Sequence, residues 1–224
     1  VINQPTSKFT EKSLLQVARL NFALNNLDSA ASAYKRLLKS AQKQSNKDIA
    51  LRSLMEIYFS QKKYKEASEY AETLINSQIL NKDLFQKAQM VLAKSTFELE
   101  SYDSSIVLLD TIATYNTEIG AEAKYLLARI YYLKGNYDKS DTLIYSVVNQ
   151  VPSAPYWIAK SFILLADNFI SRGDYYNARL TFESVIDNSD NQELIDIAKE
   201  KLQILKHSED MIEHNKAAPI EIIM

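Results

Sequence analysis

An all-α solenoid of about five helical hairpins, closed by a C-terminal capping helix, is the fold this sequence predicts. The first observation is a signature that recurs five times. It reads Asn26-Leu27-Asp28-Ser29-Ala30, Lys63-Tyr64-Lys65-Glu66-Ala67, Ser101-Tyr102-Asp103-Ser104-Ser105, Asn136-Tyr137-Asp138-Lys139-Ser140 and Asp174-Tyr175-Tyr176-Asn177-Ala178. Its closing small residues lie 37, 38, 35 and 38 positions apart, and a fixed period of about 20–50 residues marks stacked repeats. The second is composition: with 3 Gly and 4 Pro in 224 residues, the chain favours long helices and short connections. The third is apolar spacing at i, i+3 and i+4 through nearly the whole chain, the period of a helix with one buried face.

The elements follow in order. Residues 1–9 lack periodicity and read as a lead-in, residues 10–206 as the solenoid, and residues 207–224 as a tail. The units fall near 11–47, 48–85, 86–120, 121–158 and 159–190, with a capping helix over 191–206. In the first, Leu14, Val17, Ala18 and Phe22 predict one buried face, and Ala30, Ala33, Tyr34, Leu37 and Leu38 its partner. Leu51, Leu54, Met55 and Tyr58 pair in the same way with Ala67, Tyr70, Ala71 and Leu74. Val91, Leu92 and Leu99 are less regular, but Ile106, Leu109 and Ile112 restore the pattern. Tyr125, Ala128, Ile130 and Tyr131 precede Leu143, Ile144 and Val147, and Phe162, Leu165, Ala166 and Phe169 precede Ala178, Phe182 and Val185. Leu194, Ile197, Ala198, Leu202 and Leu205 make the stripe of the capping helix. Gly135, Gly173, Pro152 and Pro155 punctuate the connections, and Asp28, Asp103 and Asp138 are expected to cap the helices that follow them.

Composition removes several function classes. A formal charge of −2 is not the basic footprint of a nucleic-acid binder. Without Cys there are no disulfides, thiolate zinc sites or thiol nucleophiles. No apolar run approaches the roughly 18–20 residues of a membrane span. The start at Val1 reads as a fragment of a larger or processed protein, so a targeting segment is not expected to be visible here.

The residues resemble the tetratricopeptide repeat (TPR), a pair of antiparallel helices of about 34 residues. The match is clearest over Tyr125–Ser140 and Leu165–Phe182 and extends over roughly residues 11–206. Small residues inside the first helices (Ala18, Ala93, Ala128, Ala166) and at the start of the second (Ala30, Ala67, Ser105, Ser140, Ala178) let paired helices approach closely. An aromatic just before the latter (Tyr64, Tyr102, Tyr137, Tyr175) is expected to fill the gap at the turn toward the next unit. Met55 stands in for a small residue and Leu27 for an aromatic, and the period is long. That long period resembles bacterial multi-repeat proteins of the cell envelope, which would put the chain in the periplasm or at the outer-membrane periphery. The resemblance implies a right-handed superhelix and a non-catalytic scaffold or adaptor that binds a protein or peptide partner on its concave face, without a cofactor. The alternatives are a homotypic assembly module and a regulatory arm of a larger multidomain protein or enzyme.

Phe22, Phe59, Phe97, Tyr132 and Ile170 each stand eight residues before a recurrent small residue. In the family this place on the first helix tends to face the concave groove. The set would form an apolar ladder there, flanked three residues earlier by Arg19, Glu56, Lys94, Arg129 and Asp167. The competing reading packs the ladder between neighbouring units. The family's Lys/Asn/Arg clamp for a terminal carboxylate is expected to be absent, because the flanking set contains no Asn and mixes both charges. Trp157 reads either as a staple joining units four and five or as a partner contact. His207 and His214, with Glu209, Asp210 and Glu213 nearby, are read as a solvated helix end in preference to a metal site. No metalloprotease, nucleophile-elbow or phosphate-loop motif occurs.

Overall fold

The computed structural model describes residues 8–77 and 81–217, with side chains over 10–77 and 81–208. Among these are eleven helices. The first compact unit, which ends at Ile112, holds α1 (Lys8–Ala23), α2 (Leu27–Ser40), α3 (Gln44–Ser60), α4 (Tyr64–Ile75), α5 (Lys82–Glu98) and α6 (Tyr102–Ile112). The second, which begins at Ala113, holds α7 (Glu118–Leu133), α8 (Tyr137–Val148), α9 (Pro155–Ser171), α10 (Tyr175–Asn188) and α11 (Gln192–Ala217). The lead-in thus turns helical at Lys8, and the last helix runs eleven residues past Lys206.

Within each unit the helices pack as successive pairs, and each second helix packs again on the first helix of the next pair (α2 on α3, α4 on α5, α8 on α9, α10 on α11). First helices also touch one another (α3 on α5, α7 on α9, α9 on α11). Small side chains set these distances. Ala18, Ala30, Ala67, Ala93, Ser105, Ala128, Ser140, Ala166 and Ala178 are all fully buried. The Ser105 hydroxyl donates 3.0 Å to the Ala93 carbonyl, so two of the small positions meet directly across a hairpin. Met55, the exception in sequence, is buried in a cluster with Ala71 and Ala88, whose small side chains leave room for it.

The turns between paired helices share one geometry. A single residue in each is left-handed: Asn25 (φ +58°), Lys62 (+58°), Glu100 (+57°), Gly135 (+73°) and Gly173 (+78°). The following N–H donates to a carbonyl five residues back: Asn26 to Asn21, Lys63 to Tyr58, Ser101 to Thr96, Asn136 to Tyr131 and Asp174 to Phe169, at 2.8–2.9 Å. The left-handed residue's own N–H donates to Phe22, Phe59, Phe97, Tyr132 or Ile170 at 2.9–3.0 Å. This pair of bonds is the Schellman closure, which satisfies carbonyls that a helix end otherwise leaves open.

Three sequence expectations need correction. Val17 and Phe22 are 50% and 41% exposed, so they do not share the buried face of Leu14 and Ala18. Helices α2, α6 and α8 begin at Leu27, Tyr102 and Tyr137, which puts Asp28, Asp103 and Asp138 inside the first turn and not at the cap. Among the second helices, α8 is capped by Asn136, which accepts from the Lys139 N–H at 3.1 Å, and α10 by Asp174, which accepts from the Asn177 N–H at 3.2 Å. Asp28 and Asp138 instead tie their helices to the end of the next first helix: Asp28 accepts from Gln61 at 3.0 Å and Asp138 from Arg172 at 3.5 Å. Finally, the aromatics at the turns close on the first helix of their own hairpin. The Phe59–Tyr64, Phe97–Tyr102 and Tyr132–Tyr137 centroids lie 5.7, 5.7 and 5.9 Å apart.

Polar side chains add register. Glu11 is buried and accepts from the Gln42 N–H and the Asn46 amide, both at 2.7 Å, which pins α1 to the α2–α3 connection. These bonds, the Gln42 N–H first, hold its carboxyl below the usual glutamate range. Buried Asn168 donates to Ser140 at 2.9 Å and to Asp141 at 2.6 Å, and Arg172 binds the other Asp141 oxygen at 2.7 Å, which joins α8 to α9.

A left-handed L-residue costs roughly 1–2 kcal/mol, while glycine adds about 0.5–1 kcal/mol of chain entropy. Glu100→Gly is therefore expected to stabilise by about 0.5–1 kcal/mol and Gly135→Ala to destabilise by about 1 kcal/mol. No atom lies within 4 Å of a Cβ built at Gly135, so that loss is conformational. Urea unfolding of both variants checks the pair; a neutral Gly135→Ala or a destabilised Glu100→Gly would contradict it.

Candidate functional site

The first helices carry the side chains that the sequence singled out. In the first unit, Arg19 and Phe22 are exposed on α1. No hydrogen bond, ion pair or ring contact ties either of them to α3 among the described residues. Glu56 on α3 is paired with Arg52 one turn away at 3.1 Å. Phe59 is half-buried, and the Lys94 ammonium of α5 sits 5.4 Å from its ring centroid, so these two residues meet across adjacent first helices. Phe97 is only 5% exposed, against Tyr102.

The second unit brings its residues closer together. Arg129 and Tyr132 from α7, Lys160 and Asp167 from α9, and Lys201 from α11 line one cavity of about 330 Å³. Its apolar wall includes Ile163, Leu164 and Leu194. Ile170 opens onto a neighbouring cavity of about 310 Å³ with Tyr175 and Ile204. Asp167 and Lys201 line both cavities, and the Lys201 ammonium lies 2.9 and 3.0 Å from the two Asp167 oxygens. Burial pushes the Asp167 carboxyl above the usual carboxylate range, and the Lys201 hydrogen bonds and charge pull it back. Burial also raises the Tyr125 phenol at the cavity wall, an effect the Arg129 charge opposes.

Lys160 is held by aromatic faces. Its ammonium lies 5.4, 5.3 and 5.3 Å from the centroids of Tyr125, Tyr156 and Trp157 and 3.2 Å from the Tyr156 hydroxyl. Trp157 packs on Tyr125 at 5.5 Å and in a cluster with Ala121 and Val147, so it joins hairpins four and five. Sequence reasoning named neither Lys160 nor Lys201, because a lysine at the border of an apolar stripe looks like ordinary solvated surface. His207 is exposed on α11, and His214 with Glu209, Asp210 and Glu213 lies outside the described side chains. Among the described residues no three His, Cys, Asp or Glu side chains group to hold a metal ion, and no helix is long and apolar enough to cross a membrane.

Comparison with known proteins follows from this geometry. A family model described as tetratricopeptide repeat matches residues 15–78, the span from α1 to the end of α4. The whole architecture is similar to solved structures of such proteins. The fold of the chain is that of tetratricopeptide-repeat proteins. The crystal structure of MamA superposes with a TM-score of 0.63 at 18% identity, covering 80% of this chain and 91% of that one. YrrB, described as a TPR protein with an unusual peptide-binding site, gives 0.58 at 19% identity, over 84% and 90% of the two chains. A tetratricopeptide repeat protein from Parabacteroides merdae ATCC 43184 gives 0.56 at 17% identity, over 90% and 88%. At these identities the likeness is one of fold. No curated protein sequence matches the chain. TPR proteins are in general non-catalytic interaction modules, and the TPR fold is in general a protein–protein interaction scaffold.

The Asp167–Lys201 pair generates a pH-dependent prediction. A carboxyl raised by burial favours the folded state most below its unfolded pKa, and that contribution falls as pH rises through the folded pKa. Lys201→Met removes the opposing charge and raises the Asp167 carboxyl further. The Lys201 side chain is 38% exposed, so the loss at pH 7 is expected at about 1–2 kcal/mol, well below the ~3–5 kcal/mol of a fully buried pair. The deficit should shrink as the pH is lowered and Asp167 protonates. Urea unfolding of both proteins from pH 4 to pH 8 reads it, and a deficit independent of pH would rule out this role for Lys201.

Proposed function

We propose that this protein binds an extended or helical segment of a partner protein on the first-helix faces of its two units. The observation that carries the reading is the contact between successive first helices within each unit. α3 touches α5, α7 touches α9 and α9 touches α11, with no comparable contact between successive second helices there. The layer that packs more closely is the inner side of a bend, and repeat proteins use such concave surfaces for binding. Phe59 with Lys94, and Tyr132 with Arg129 and Asp167, supply apolar anchors with charges beside them on that side. This combination suits a segment held by a few apolar side chains and oriented by polar ones.

YrrB, a fold neighbour, is described as having an unusual peptide-binding site, which agrees with peptide recognition outside the terminal-carboxylate clamp. Arg19, Phe22 and Glu56 extend the proposed face of the first unit and Ile170 that of the second, while buried Phe97 supports the first from below. The reading requires no cofactor and no catalytic residue.

Affinity capture from lysate of the source cells, with the wild type beside a Phe59→Ala/Tyr132→Ala variant, tests it once circular dichroism shows equal helicity. A partner retained by the wild type and lost, or weakened at least tenfold, by the variant is the expected result. A partner held equally by both would place binding elsewhere on the protein.

A further inference from the structure

The left-handed turn residue sets a common register for the first helices, and one place in that register is used differently on α1. Eight and five residues before the turn stand Leu54 and Ile57 on α3, Leu92 and Ser95 on α5, and Leu165 and Asn168 on α9. All six are at most 7% exposed. The second helix of the preceding hairpin covers them. Leu54 and Ile57 share a buried cluster with Ala31 and Leu37 of α2, and Leu92 shares one with Ala71 and Leu74 of α4. Asn168 is tied to Ser140 and Asp141 of α8. The covering helix runs antiparallel to the one it covers, since Asp28 at the start of α2 meets Gln61 at the end of α3.

At the same two places α1 carries Val17 and Leu20, with Leu24 one turn further on. Among the described residues no second helix precedes α1, and these side chains are 50%, 62% and 62% exposed. At about 100° per residue the three fall within about 60° of arc. That stripe is separate from the face of Leu14 and Ala18, which is buried with α2.

The chemistry of the stripe selects what fits on it. Gln61 and Arg172, at the ends of α3 and α9, reach the acids Asp28 and Asp138 of the covering helix. In α1 this place is Leu24, which asks for an apolar neighbour in place of an acid. The residues bordering the stripe, Ser13, Gln16 and Asn21, are uncharged, and Lys12 and Arg19 project away from it. Two such faces therefore meet without placing like charges together. Val17 and Leu24 lie one turn to either side of Leu20. An antiparallel copy centred on Leu20 sets Leu20 against Leu20 and Val17 against Leu24.

We propose that this face of α1 pairs with the same face of a second copy of the chain. The contact is isologous, with a twofold axis at Leu20. It continues the antiparallel helix-on-helix contact that covers α3, α5 and α9, with a copy of α1 in the place of a second helix. It goes beyond the segment-binding reading and leaves that surface open, because Arg19 and Phe22 point about 100° or more away from Leu20 around the helix. Three side chains from each copy make a small contact, so the dimer depends on concentration.

Sedimentation velocity from about 5 to 500 μM, a range that brackets micromolar association, tests the pairing with the wild type beside Leu20→Glu. Circular dichroism checks that the variant keeps its helicity, as an exposed position should. The wild type is expected to dimerise with rising concentration, and Leu20→Glu to need at least about tenfold more protein, because the apolar contact at the axis is lost from both copies. Native Cys is absent, so an introduced thiol reports proximity: a disulfide forms only where two Cβ atoms approach to about 4 Å. Oxidised Leu20→Cys should give a covalent dimer, and Val107→Cys, at a 70% exposed position on α6, should not. A wild type that stays monomeric, a Leu20→Glu dimer of undiminished strength, or equal crosslinking at both positions would overturn the pairing. A monomeric wild type would leave the face to a helix of a different protein.

Discussion

Each hairpin depends on a single backbone event: the chain turns left-handed for one residue and two amides close onto the helix just finished. The same event occurs at Asn25, Lys62, Glu100, Gly135 and Gly173. The closure fixes where the first helix stops and where the second starts. It places the acceptor of the inner bond at Phe22, Phe59, Phe97, Tyr132 and Ile170, five residues before the first residue of the following helix. That separation brings the Phe59, Phe97 and Tyr132 rings onto Tyr64, Tyr102 and Tyr137. The ladder seen in the sequence is in register because the turn sets the register.

The residues of that ladder lie at different depths. Phe97 is almost wholly packed, Phe59 and Tyr132 are half-buried, and Phe22 is open. A ring that leans on the turn of its own hairpin keeps its other face toward whatever lies along the first helices. Small residues below it, such as Ala93, Ala128 and Ala166, let the paired helices come close. Within each unit the second helices, thus drawn in, pack on the next first helix. Polar ties such as Asp28 to Gln61 in the first unit, and Asn168 to Ser140 and Asp141 in the second, then hold one hairpin against the next.

The hairpins were legible because close helix approach demands small residues at a fixed period, and few sequences meet that demand by chance. The turns were legible only where glycine or asparagine announced them. At Lys62 and Glu100 the geometry is the same, but the residue carries no local sign of it, and only alignment on the repeat reveals it. The expected Asp caps failed because the turn ends two residues earlier than an Asp-led start implies: Asn136 holds the cap and leaves Asp138 free to reach Arg172. Val17 was read as buried because helical spacing gives a face without saying whether a neighbour covers it. The cavity around Asp167 was half visible. Arg129, Tyr132 and Asp167 were named from the period, whereas Lys160 and Lys201 enter it through aromatic packing and an ion pair between helices, neither of which has a sequence spacing.

The central claim is that all five turns close alike whether or not glycine occupies the left-handed position. Native-state hydrogen exchange at the amides of Asn26, Lys63, Ser101, Asn136 and Asp174 tests it most directly, since each should be held in the longer closure bond. The account predicts that Lys63 and Ser101 are protected to the same degree as Asn136 and Asp174. Protection at Asn136 and Asp174 alone, with Lys63 and Ser101 exchanging as open amides, would contradict it.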